Sequence, residues 1–210
     1  MAHLDLHEQE QVDKLKYFWR DWGKYIIAVI VLLVAGYVVS SGYSWYKQSQ
    51  AQKAVAVYSD FTKNVTAGAK DKAFVDVDKL IADMPGTEYA SMAAISAAKL
   101  AFEAKDYAKA IKYLSWAKDN SSDKSLGTIA TIRLANVYID QNNFDKAREL
   151  LRTKHDIAFD GLFYEGRGDL YVAMGDLNKA RDAYKEGLQK AANDPSTQQA
   201  IQMKLDIIGG

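Results

Sequence analysis

Hydrophobic and polar residues follow different rules in different parts of this chain. Between Lys24 and Lys47 they do not alternate at all: 22 residues, YIIAVIVLLVAGYVVSSGYSWY, carry no formal charge. A helix of that length rises roughly 33 Å, against about 30 Å for the hydrocarbon core of a bilayer. Tyr17, Phe18, Trp19, Trp22 and Tyr25 lead into the stretch, and Tyr43, Trp45 and Tyr46 close it, as at the two interfaces of a spanning helix. The pattern predicts one membrane-spanning helix over 25–46. A cleaved signal peptide is the competing reading, since Ser40, Ser41 and Gly42 are small enough for a cleavage site. The leading segment holds Asp5, Glu8, Glu10, Asp13 and Asp21, whereas a secretory leader starts short and positive. An uncleaved anchor is therefore expected. Lys14, Lys16, Arg20 and Lys24 precede the span, while only Lys47 and Lys53 follow at similar distance. This bias predicts a cytoplasmic segment 1–24 and a C-terminal domain 47–210 on the outer side.

Beyond Lys47 the apolar positions recur at helical spacing: Ala51, Ala54, Val55, Tyr58, Phe61 and Val65 form one stripe. No linker rich in proline or glycine separates this stripe from the span, and a polar break follows at Thr66 to Lys72. Three later stretches share one form: DYAKAIKYL (Asp106 to Leu114), NFDKARELL (Asn143 to Leu151) and DLNKARDAY (Asp176 to Tyr184). Their alanines, Ala110, Ala147 and Ala180, stand 37 and 33 residues apart, each with an apolar residue four positions later. Upstream lie Leu134-Ala135 with Tyr138, and Gly168 with Tyr171; Gly175-Asp176 marks a turn where glycine can adopt a left-handed conformation. Another 37 residues back from Ala110 stands Ala73, and Pro85 closes that stretch.

Over roughly residues 50–208 this resembles the tetratricopeptide (TPR) pattern, a two-helix repeat of about 34 residues. Arg167 departs from the usual Leu, and Ala94 and Thr131 from the usual Trp. The predicted fold is all-α: an N-terminal transmembrane helix, then a TPR-like helical-hairpin solenoid. Its repeats fall at about 50–87, 88–124, 125–159 and 160–195. Residues 196–208, with Ile201, Leu205 and Ile208 on one face, predict the capping helix that covers the apolar end of such a stack.

Charge and composition narrow the function more than they define it. The chain holds 27 basic and 27 acidic residues, so no global field attracts nucleic acid. Two prolines favour helix, and the absence of cysteine removes disulfides, thiolate metal sites and thiol nucleophiles. His3 and His7 are four apart but lack further ligands, so neither a metal site nor any cofactor is expected. His155, beside Asp156 and without a nucleophile, reads as a solvated loop residue. Gly166-Arg167-Gly168 lies inside a helical pattern and is no phosphate loop. No catalytic constellation emerges, and binding remains. Membrane lipid is one partner, and two features near the span concern others. Gly36 and Ser40 form a small-xxx-small pair that would admit another membrane helix, although small residues are common in such helices. Val12, Leu15, Phe18 or Trp19, and Trp22 suit either a helix along the inner membrane surface or a plain extension of the anchor.

The TPR resemblance implies that the first helix of each repeat lines a concave groove. Its positions would be Met92, Ile95, Lys99 and Phe102, then Ile129, Ile132, Asn136 and Ile139, then Leu162, Glu165, Asp169 and Val172. Such a surface suits an extended or helical apolar segment of a partner, or else it is filled by the protein's own helices. Four stretches carry a closer likeness: QVDKLKYFWRDWGK (Gln11 to Lys24), PGTEYASMAA (Pro85 to Ala94), RGDLYVAMGDLNKARDAYKEGL (Arg167 to Leu188) and QMKLD (Gln202 to Asp206). With the span they resemble the YfgM family, ancillary subunits of the SecYEG translocon. Where that family continues the last motif with Asn-Leu or Asp-Leu, this chain has Ile207-Ile208. The resemblance implies a Gram-negative inner-membrane protein with its TPR domain in the periplasm. It also implies partners: SecYEG, a PpiD-like periplasmic chaperone and nascent secreted chains. The alternative function is a TPR scaffold for envelope assembly or cell division.

Overall fold

The structure is a computed structural model that describes residues 6–209, with side chains from residue 10 onward. The imidazoles of His3 and His7 lie outside the described residues. The chain divides into two compact units, one ending at Ser49 and the other starting at Gln50. Helix α1 (Leu6–Thr66) contributes to both. Its stretch through the first unit is long and apolar enough to cross a membrane, and no residue of its most apolar 18-residue window is buried.

The second unit continues with α2 (Lys70–Asp83), α3 (Glu88–Glu103), α4 (Tyr107–Asn120), α5 (Lys124–Asp140) and α6 (Phe144–Leu150). A 3₁₀ turn at Ile157–Phe159 precedes α7 (Asp160–Ala173), α8 (Leu177–Lys190) and α9 (Pro195–Ile207). No strand occurs among the described residues. The fold is all-α, a TPR-like stack in which α3 packs on α4, α5 on α6 and α7 on α8, each pair meeting the next.

The repeat register is set by small residues. Ala73, Ala110, Ala147 and Ala180 are fully buried, and the residues four later (Val77, Leu114, Leu151, Tyr184) are buried too. Twelve residues upstream of the last three alanines stand Ala98, Ala135 and Gly168, also buried. Paired small residues let the two helices of a hairpin approach closely, so the large side chains fill space between hairpins instead. Twelve before Ala73 stands Phe61, buried with Ala54 in the core, which is why the first repeat departs from the pattern. Each fully buried large apolar side chain of this core stabilises it by roughly 1.5–3 kcal/mol.

The turns inside the three clear repeats are the same motif. Lys105, Asn142 and Gly175 have φ of 60°, 56° and 79°. Around each, the two amides bond back to the preceding helix: Lys105 N–H to Phe102 O and Asp106 N–H to Ala101 O, with matching pairs at Asn142–Asn143 and Gly175–Asp176. This is the Schellman closure, which favours glycine at the left-handed position. Asp106, Asn143 and Asp176 then cap the second helix, accepting from the amides of Lys109, Lys146 and Lys179. The Lys109 amide bond holds the Asp106 carboxyl below its ordinary pKa. Lysine at 105 pays for the left-handed backbone with Cβ crowding of about 1 kcal/mol. Lys105→Gly is therefore expected to raise the unfolding midpoint by roughly 2–4 °C; an unchanged or lower midpoint in a thermal melt would contradict this.

Candidate functional site

The structure divides the expected groove into three parts. In the first, Ile95, Lys99 and Phe102 of α3 and Asn136 of α5 come together. With Ala98, Leu114, Arg133 and Val137 they line a cavity of about 200 Å³. Met92 stands nearby on α3, 40 % exposed, and Ile129 is half-buried. In the second part the groove is closed: Ile132 and Ile139 are core residues, buried with Leu151, Phe163 and Leu170 where α5 meets α7. The helical stripe of α5 is wide enough to serve both faces, and α7 covers this side of it.

In the third part α7 meets the cap. Leu162 is half-buried against the same core, and Val172 remains at the surface. Glu165 and Asp169 do not face a vacant groove, because Lys204 of α9 reaches between them at 2.6 and 2.7 Å. Burial alone would lower the Lys204 pKa, but the two carboxylates outweigh it and hold the ammonium above the ordinary lysine value. Tyr184 of α8 donates its hydroxyl to the other oxygen of Asp169 at 2.7 Å. Burial first, then the Asp169 charge, raises the Tyr184 phenol pKa and keeps it a neutral donor. The ring rests on bare backbone: a Cβ built on Gly168 would lie 2.1 Å from Tyr184 Cε1. A Cβ on Gly166 would lie 2.7 Å from Leu151 Cδ2. The Gly-x-Gly run is thus a packing device.

Two residues read differently in three dimensions. Arg167, out of pattern in sequence, donates Nε and Nη2 to the Leu151 carbonyl at 3.1 and 2.9 Å. It satisfies the end of α6, a helix of only 7 residues that leaves carbonyls unpaired. His155 is not the solvated loop residue that its neighbours suggested. Its side chain is 12 % exposed and lies flat on Phe163, with ring centroids 3.5 Å apart. Nδ1 meets the Thr153 carbonyl and Nε2 meets Asp160 Oδ1, so the ring ties the loop to the start of α7. Among the described residues no group of three or more His, Cys, Asp or Glu is placed to hold a metal ion.

Sequence reasoning missed Arg133, Leu114 and Lys204 as groove residues. The repeat period held the signal: Arg133 stands 34 residues after Lys99, and Lys204 stands 35 after Asp169. In the first unit Gly36 has nothing within 4 Å of a built Cβ, and Ser40 is exposed. Cations flank the apolar stretch over aromatic faces, Lys24 over Tyr25 and Lys47 over Tyr43.

Hairpins in this register, with small residues at their crossings and a cap helix at the end, define a protein of the TPR class. The family model for the tetratricopeptide repeat-like domain matches residues 16–210. The chain is 32 % identical over 208 residues to the ancillary SecYEG translocon subunit of Neisseria gonorrhoeae, covering 99 % of each chain. It is 26 % identical over 201 residues to the protein of that name from Haemophilus influenzae, covering 96 % of this chain and 97 % of the relative. Against its Escherichia coli namesake the figure is 24 % over 200 residues, covering 95 % of this chain and 96 % of the relative. The chain belongs to this family of ancillary SecYEG translocon subunits, the YfgM family.

Proposed function

We propose that the protein is a non-enzymatic ancillary subunit of the SecYEG translocon. A single helix over 25–46 anchors it in the bacterial inner membrane, with residues 1–24 in the cytoplasm and the TPR domain in the periplasm. The anchor confines the domain near the membrane, which raises its effective concentration at chains emerging there. The domain binds secreted polypeptides and a PpiD-like chaperone through side-chain contacts and performs no bond chemistry. The observation that carries this reading is the likeness to a named translocon subunit along 99 % of both chains. It therefore spans the apolar stretch as well as the repeats. A groove with an apolar cavity and polar rim supports a polypeptide ligand.

The test is purification of the intact protein from membranes in mild detergent. Recovery of translocon subunits, with a periplasmic chaperone alongside, is the expected result. Recovery of neither overturns the proposal. Site-specific crosslinking from Phe102 then separates this function from an envelope scaffold: many secreted chains support it, and one defined folded partner supports the scaffold.

A further inference from the structure

The two ends of the groove are the same notch, once filled and once vacant. In the filled copy Asp169 stands 15 residues before Tyr184 and 35 before Lys204. Tyr184 occupies the space with its ring and bonds Asp169, and Lys204 supplies the opposite charge. Two hairpins earlier in the stack, closely similar spacings of 15 and 34 residues lead from Lys99 to Leu114 and to Arg133. Leu114 replaces the ring, and a cation replaces the carboxylate. The cavity of about 200 Å³ lies where these three residues meet.

That substitution leaves two deficits. A cavity of about 150 Å³ is enough for a benzene-sized group, so this one has room for a large apolar side chain. The charges are also unbalanced. Lys99 and Arg133 both line the cavity, and none of its lining residues is acidic. Among the described residues the sole carboxylate near Lys99 is Glu103 on its own helix, at 3.8 Å and exposed, beyond hydrogen-bond reach. Arg133 makes no ion pair or hydrogen bond among the described residues and is exposed on the groove side. Asn136 also lines the cavity, and its amide makes no hydrogen bond among the described residues.

We infer that this notch between α3 and α5 docks an internal segment of a partner polypeptide. The segment inserts a large apolar side chain over Leu114 and sets a neighbouring Asp or Glu carboxylate between Lys99 and Arg133. Charge complementarity selects the carboxylate. An internal segment is favoured over a chain end because apolar surface continues past the lining at Met92, an exposed residue one helical turn before Ile95. The inference rests on reading the domain as a polypeptide-binding module and specifies what it recognises.

The experiment uses the full-length protein in detergent and fluorescein-labelled, C-terminally amidated 12-residue peptides. They share a Leu- and Phe-flanked centre and differ only in carrying Glu, Gln or Lys there. A fourth peptide carries Gln with a free C-terminal carboxylate. Anisotropy titrations should show the Glu peptide binding about tenfold more tightly than the Gln peptide, the worth of a charge-assisted contact, with the Lys peptide weakest. R133E and K99E should each abolish that preference and favour the Lys peptide, with unchanged melting since both side chains are exposed. Equal binding of all three central residues, insensitivity to either variant, or no binding at all overturns the inference. Preference for the free C-terminus overturns it in favour of a chain-end ligand. If the parent protein co-purifies with the translocon while the peptides bind it with no charge preference, the docking code fails and the translocon function stands. If no translocon is recovered even with the parent protein, the broader function fails instead.

Discussion

Gly168→Val should destabilise the repeat domain by roughly 3–5 kcal/mol, at the severe end for overpacking. The position is legible as a TPR small residue, but the size of the effect comes from what lies above it. A Cβ there would sit 2.1 Å from one ring carbon of Tyr184 and 2.3 Å from the next. The ring has nowhere to retreat: it is 2 % exposed and held by its hydroxyl to Asp169 at 2.7 Å. Either α7 and α8 separate or the Asp169 bond breaks, and both expose core. Thermal unfolding followed by circular dichroism should show a loss of about 2–4 °C for each kcal/mol. Gly168→Ala should fall less far. Combined with Tyr184→Ala it should lose less than the two single changes together, because the second removes the atoms that the first strikes. A Gly168→Ala protein within about 0.5 kcal/mol of the parent, the range of an ordinary surface change, would refute the close packing.

Lys204→Glu is the second large effect, expected at roughly 2–4 kcal/mol. This discounts the cost of breaking a buried pair for the site's partial exposure. The substitution puts a third carboxylate beside Glu165 and Asp169, whose side chains are 16 % and 26 % exposed. The damage should stay local. In a stack each unit contacts only its neighbours, so hydrogen exchange should accelerate in α9 and α8 while α3 and α4 keep their protection. Lys204→Met should cost less, since it removes the cation without adding a charge.

The pH dependence follows from the sign of the shift. The folded Lys204 pKa is raised above the ordinary 10.5, so its stabilisation is fully present below that value and is lost as pH climbs through the folded pKa. The gap in stability between the parent and Lys204→Met should be constant near neutrality and shrink above about pH 10.5. Equal exchange rates in α9 of the parent and Lys204→Glu proteins would show that the ion pairs do not hold the cap.

Much of this molecule could be read before it was seen, and the reasons differ by feature. The all-helical fold and TPR class followed from buried alanines at Ala110, Ala147 and Ala180 and their partners four residues on, because a helix crossing tolerates only small side chains and repeats its demand. The turn at Gly175 was legible for a similar local reason. The equivalent turns at Lys105 and Asn142 were not, since those residues adopt the same positive φ only because the Schellman bonds and the following cap enforce it. Arg167 looked like a flaw in the pattern and proved to be the donor that closes α6. His155 looked solvated because its sequence neighbours are polar, yet it is covered by Phe163 from the next helix.

The groove shows most clearly where sequence ends. Periodicity placed the expected groove on one face of α3, α5 and α7. It could not say whether another helix lies on that face. Ile132 and Ile139 became core because α7 packs over them, and Glu165 with Asp169 became an internal ion-pair site because Lys204 arrives from α9. The local residues determined helices, turns and register, since those depend on neighbours a few positions away along the chain. Whether a given notch is filled or open depends on side chains 15 and 34 or 35 residues distant, and only tertiary packing brings them together.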